Sequence, residues 1–175
     1  MKNLTSLIAL FFSFNLFAMI NVEIVTTKGT IEIELDDVNA PISVENFLSY
    51  MDTGFYDGTI FHRTVPNFVV QAGGHTPDMT EKPTNAPIKN ECTNGLSNLK
   101  GSLGMARNED MDSATSQFYI NTKDNTRLDK RYAVFGRVIS GYEIVQEIEN
   151  SVTTTVGEYE NVPVEPIIII SVSKK

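Results

Sequence analysis

Phe61-His62-Arg63-Thr64-Val65-Pro66-Asn67-Phe68-Val69-Val70-Gln71-Ala72-Gly73-Gly74 is the stretch on which the fold turns. Two short strands, Ile60 to Arg63 and Val69 to Ala72, run into and along it, separated by the segment that carries Pro66 and Asn67. Strict alternation along the first strand puts Arg63 on the face of Phe61 and His62 on the other.

Outward from this stretch the pattern stays short and mostly extended. Val22 to Thr26 and Thr30 to Leu35 flank Lys28-Gly29, and Ile31, Ile33 and Leu35 alternate with Glu32, Glu34 and Asp36. That is a hairpin with one buried face. Val44, Phe47, Leu48 and Met51 then recur at helical spacing, with Pro41 in the first turn and Gly54 just past the end. On the other side, Ser102 to Ala106, Phe118 to Asn121, Ala133 to Val138 and Pro166 to Ser173 read as strands, and Tyr142 to Glu149 as a second helix. Ile167 to Ile170 suits a strand buried on both faces, inside a sheet and not at its edge. Gly73 to Lys100 has no period and reads as a long loop, with His75 as a solvated or turn residue. About eight strands and two helices make an all-β barrel or sandwich with helical covers.

Composition narrows the function classes. With 14 basic against 22 acidic residues the formal charge is −8, which opposes a nucleic-acid binder built on phosphate contacts. Cys92 is the only cysteine, so there is no intramolecular disulfide and no cysteine spacing for a zinc site. His62 and His75 lack a serine or cysteine partner at the spacing a hydrolase would need. Lys2, the apolar run Leu4 to Phe17 and the small residue Ala18 read as a secretory signal peptide over residues 1–18, with a single domain over 19–175. The run is shorter than the roughly 20 residues that span a bilayer, so no stable membrane insertion is expected after cleavage. A periplasmic or secreted chain follows, and it is expected to be a monomer.

Three segments then resemble a known family. The opening stretch is similar to the signature of the cyclophilins, in which an arginine, a phenylalanine and a glutamine line the active site. Gly101-Ser102-Leu103-Gly104-Met105-Ala106-Arg107 and Ser116-Gln117-Phe118-Tyr119-Ile120-Asn121 resemble the next two active-site strands, and Val134-Phe135-Gly136-Arg137-Val138 the strand after them. Asn85 to Glu91 and Asn161-Val162-Pro163 look most like the bacterial periplasmic branch. The resemblance implies a closed eight-stranded antiparallel β-barrel with two covering α-helices. It implies peptidyl-prolyl cis-trans isomerase activity on proline-containing polypeptides, with no cofactor and no metal.

Elementary chemistry agrees with that implication. The barrier of about 18–20 kcal/mol to rotation is lost amide resonance. As the C–N bond twists, the proline nitrogen gains a lone pair that an aimed donor can bind better than it binds either planar state. Arg63 is the candidate donor. Phe68, Val69, Tyr119 and Leu128 would seat the ring, with Tyr132 as an aromatic wall. Gln71 and Gln117 would hold the flanking backbone, and Ala106 and Arg107 would offer main-chain groups to an added strand. The resemblance is imperfect at the rim. Well-known members have phenylalanine at the position of Tyr119, tryptophan at that of Arg127 and histidine at that of Tyr132. Without the indole, weak cyclosporin binding is expected.

Overall fold

The computed structural model describes residues 20–175, so the expected signal peptide lies outside the described residues. Ten strands and two helices follow in order: β1 (Ile20–Thr26), β2 (Gly29–Leu35), α1 (Pro41–Asp52), β3 (Phe61–Val65), β4 (Val69–Ala72), β5 (Ser102–Met105), β6 (Phe118–Asn121), β7 (Val134–Ser140), α2 (Tyr142–Glu149), β8 (Thr153–Val156), β9 (Tyr159–Pro163) and β10 (Ile169–Lys174). Eight of the strands form one antiparallel sheet in the order β10-β1-β2-β7-β5-β6-β4-β3, and β8 and β9 form a separate hairpin.

The sheet curls around its apolar face but does not close as an unbroken ladder, which corrects the closed barrel expected from the resemblance. Its end strands meet through one isolated bridge, Ile60 to Ile168. Backbone hydrogen bonds from Phe61 to Ile167 (2.9 Å) and from Ile169 to Thr59 (2.7 Å) flank that bridge. β10 is consequently an end strand, with β1 as its only ladder partner among the described residues. Ile167 and Ile169 are buried, but Ile170 is 53% exposed. The run of four isoleucines therefore alternates after all, because one face of β10 looks outward.

Inside the curl, Ile31, Ile33, Leu35, Leu103, Phe118, Ile120 and Phe135 are fully buried. α1 adds Phe47 against Tyr56 and Phe118, with ring centroids 5.0 and 5.6 Å apart. α2 adds Val145 and Ile148. The expected helices are thus both present, and Tyr50 joins the buried face of α1 while Leu48 is only half-buried. No helix among the described residues is long and apolar enough to cross a membrane.

Candidate active site

Arg63 owes its direction to a β-bulge. Phe61 pairs with Ala72, yet Arg63 pairs with Gln71, so one extra residue, His62, sits in β3 at this point. Strict alternation would have placed Arg63 with Phe61 on the core face. The bulge instead leaves Phe61 fully buried and turns Arg63 outward, half-exposed. The shared face expected for these two residues is therefore wrong, and the outward arginine is the consequence.

The turn after β3 brings the next residue. Phe68 N–H donates to the Val65 carbonyl (3.1 Å) across Pro66 and Asn67. Proline presets the first corner, and Asn67 takes the second at φ 55, a left-handed conformation that asparagine tolerates. Phe68 so emerges beside Arg63, whose guanidinium carbon lies 6.0 Å from the ring centroid. Arg127, in a 3-10 turn at Thr126–Leu128, lies 4.8 Å from the same ring. Asn125 anchors this turn to the sheet by donating to the Phe68 carbonyl at 2.8 Å.

Adjacent strands supply the other wall. Gln71 of β4 pairs with Tyr119 of β6, and Tyr119 pairs with Gly104 of β5. Gly104 is needed here, because a Cβ at this position would collide with the Tyr119 ring and hydroxyl. The hydroxyl donates to Asn98 Oδ1 at 2.6 Å. Burial first, then the neighbouring Tyr132 and Asp129, pushes the Tyr119 pKa far above the phenol range, so the group remains a donor. Asn98 is held in turn by Asp129, which accepts from its backbone N–H (2.8 Å) and its amide (3.0 Å). Burial acts to raise the Asp129 pKa, but these bonds and one from Ser97 outweigh it and hold the carboxyl below its ordinary value.

A groove of about 220 Å³ opens over these side chains. Arg63, Phe68, Val69 and Gln71 line it from β3, the turn and β4, and Tyr119 from β6. Ala106, Arg107, Leu128 and Tyr132 complete it. The structure thus gathers every sequence-predicted site residue except Gln117 around one opening. Gln117 stands behind, accepting from Gln71 Nε2 at 2.8 Å, and Gln71 Oε1 accepts a long bond of 3.4 Å from Arg63. Ala106 N–H is already committed to the Gln117 carbonyl (2.9 Å), so its carbonyl is the group it can present. The Arg107 side chain folds back over the Tyr132 ring (4.4 Å) and donates to the Arg131 carbonyl (3.0 Å). Asn98, Gly104 and Asp129 escaped the sequence reading, since their roles depend on contacts between distant segments.

The chemistry available is limited and specific. The Arg63 guanidinium faces an apolar and aromatic trough, with amides able to grip an extended backbone. A larger hollow of about 510 Å³ near Glu34, Leu99 and Val134 has no aromatic lining, and its Arg137 is already paired with Glu34.

Comparison with known proteins gives consistent results. The family model described as cyclophilin type peptidyl-prolyl cis-trans isomerase/CLD matches residues 21–174. Peptidyl-prolyl cis-trans isomerase A of Dickeya dadantii is 52% identical over 156 residues, covering 86% of this chain and 82% of that protein. A peptidyl-prolyl cis-trans isomerase of Acinetobacter baylyi is 54% identical over 159 residues, covering 88% and 85%. Among solved structures, a cyclophilin type isomerase of Cryptosporidium parvum, crystallised in the presence of the dipeptide Ala-Pro, superposes with a TM-score of 0.80 at 28% identity. It covers 89% of this chain and 98% of that one.

Proposed function

The chain belongs to the cyclophilin type peptidyl-prolyl cis-trans isomerases and is an enzyme of that class, and we propose that it turns X-Pro bonds of exported polypeptides with Arg63 as the catalytic donor. The observation that carries this reading is the direction of Arg63. The bulge at His62 aims it into the groove, beside the Phe68 ring and against Gln71.

The proposed reaction needs no covalent step. The proline ring sits in the trough of Phe68, Val69, Tyr119, Leu128 and Tyr132, and the flanking backbone is held by Gln71 and by the Ala106–Arg107 main chain. As the imide C–N bond twists, its nitrogen becomes pyramidal and accepts a hydrogen bond from the Arg63 guanidinium. That bond is absent in both planar states, so it lowers the barrier without trapping either isomer. Lowering the barrier by about 7 kcal/mol would accelerate exchange roughly five powers of ten. The amide chain through Gln71 and Gln117 keeps the guanidinium from swinging into solvent.

Export rests on the order of Lys2, the apolar run and Ala18, and the client class follows from it. The chain works as a monomer in this reading. Weak cyclosporin binding belongs to the same reading, because Arg127 occupies the rim over Phe68. Two measurements test the proposal. The protein is expected to catalyse exchange of an Ala-Pro peptide at a rate unaffected by chelator. Mass spectrometry of protein from an exporting cell is expected to find a chain starting at Met19. An unchanged Met1 start in the cytoplasmic fraction would refute export.

A further inference from the structure

The groove continues past Arg63. Arg63 and Gln71 also line a second hollow of about 500 Å³, whose far side is built by β9 and by the segment around Glu81. The hairpin supplies Glu158, Tyr159 and Glu160, while Glu81 stands across from His75 in an isolated antiparallel bridge. All three glutamates are exposed. None of them forms an ion pair or accepts a side-chain hydrogen bond among the described residues. Against these three carboxylates the hollow has one permanent cation, Arg63, so with neutral histidines its formal charge is −2.

Its floor carries a second, independent feature. The sequence reads His75 as a solvated or turn residue, but it is only 3% exposed. It is wedged between His62 (centroids 4.4 Å apart) and the edge-on ring of Tyr159 (5.1 Å). Neither of its ring nitrogens has a hydrogen-bond partner, and His62 Nδ1 has none either. Burial lowers the pKa of both rings, that of His62 to about 3, so both are neutral at physiological pH. Each neutral imidazole then carries one lone pair able to accept. Buried polar atoms are normally paired, so these unpaired nitrogens, covered beneath the hollow, gain a partner only from a donor that displaces what covers them.

Unpaired nitrogens beneath the floor and free carboxylates at the rim suit the same ligand. It must be cationic, rich in N–H donors and carried on a stem long enough to reach from the proline groove. Lysine and arginine side chains meet that description, and Tyr159 offers an aromatic face to their charge. No three His, Cys, Asp or Glu side chains among the described residues come together as a metal cluster, so the acceptors surround an opening and do not form a cage.

We propose that this hollow is a specificity subsite for a lysine or arginine side chain placed close to the proline of the substrate. It rests on the reading of the adjoining groove as the proline seat. The test is an NMR titration of the protein with Ala-Pro peptides bearing lysine, alanine or glutamate, on the N-terminal side in one series and the C-terminal side in another. In at least one series the lysine peptide is expected to bind about tenfold more tightly than the glutamate peptide at low salt. Added salt should narrow that ratio, and the resonances of His75 and Tyr159 should move. In Glu158→Gln/Glu160→Gln, two exposed positions whose exchange does not threaten the fold, the ratio is expected to fall to about twofold or less. If the alanine peptide binds but lysine and glutamate are indistinguishable in both series, the subsite is refuted and the proline seat stands. A ratio that persists in the double variant also refutes it. If no peptide perturbs Arg63, Phe68 or Tyr119, the reading of the groove itself fails and the subsite falls with it.

Discussion

Phe68 lies between two guanidinium groups, Arg63 at 6.0 Å and Arg127 at 4.8 Å from its ring centroid. The two arginines do different things. Arg63 points into the groove and is tied to Gln71, whereas Arg127 is exposed at the rim. A short prolyl peptide can occupy the trough without burying Arg127. In the proposed reading a large apolar ligand such as cyclosporin would have to bury it, although the charged head prefers water, and would find no indole N–H donor there. Arg127→Trp is therefore expected to strengthen cyclosporin inhibition roughly 10- to 100-fold, the effect of about one hydrogen bond and one aromatic contact, with a smaller change in turnover. Inhibitor titrations of both proteins in the isomerase assay measure it, and equal inhibition constants would refute the assignment. The substitution at Arg127 is legible in the sequence. The compensation at Tyr119 is not: its hydroxyl is accommodated because Gly104 has no Cβ and Asn98 offers an acceptor. Residues 15 and 21 positions away must be brought together before that is visible.

Elements show the same division. α1 starts at Pro41 and stops before Gly54 for local reasons, and both signals can be read from the sequence. Its N-terminal cap cannot. Ala40 has no capping side chain; instead Glu91, in the long loop, accepts from Ile42 N–H (3.0 Å), Ser43 N–H (2.8 Å) and Ser43 Oγ (2.7 Å). A carboxylate there satisfies free helix donors and meets the positive end of the helix dipole. Glu91→Ala is expected to cost about 1–2 kcal/mol of stability, read as a lower urea midpoint with an unchanged slope. An unchanged midpoint would mean that the loop carries no share of the fold. The β8–β9 hairpin also escaped, because Thr153 to Val156 faces solvent and lacks alternating apolar residues. A bulge leaves still less trace. Nothing in Phe61-His62-Arg63 marks the extra residue, which appears only when β3 is paired with β4.

At the scale of the whole molecule, the buried histidine pair makes stability depend on pH. Burial, then the proximity of His75, lowers the His62 pKa to about 3, and burial lowers that of His75. The unfolded chain, with ordinary values near 6.5, therefore binds protons before the folded chain does. The stabilisation is complete above about pH 6.5 and is lost as pH falls toward 3. Asp78 and Asp129, whose pKa values are lowered, lose theirs in a lower window, below the ordinary carboxylate value of 3.8. Urea midpoints are thus expected to drop between pH 7 and pH 4.5, and His75→Phe should flatten the drop. A midpoint constant over that range would contradict the burial of neutral rings. This dependence could not be read from the sequence, where His75 follows two glycines in an apparently open loop. The curl of the sheet sets it, by laying β9 against β3 and closing Tyr159 over the ring.

Arg63 is proposed to act on the twisted bond and not on peptide binding. The most direct measurement is NMR exchange spectroscopy of an Ala-Pro peptide with wild type, Arg63→Lys and Arg63→Ala, which separates the rate of cis-trans exchange on the enzyme from the dissociation constant. Removing a donor made only in the transition state is expected to slow exchange on Arg63→Ala about 100- to 1000-fold. Peptide affinity should change little and the spectrum should remain that of a folded protein, with Arg63→Lys recovering part of the rate. Exchange on a folded Arg63→Ala as fast as on wild type would contradict the account.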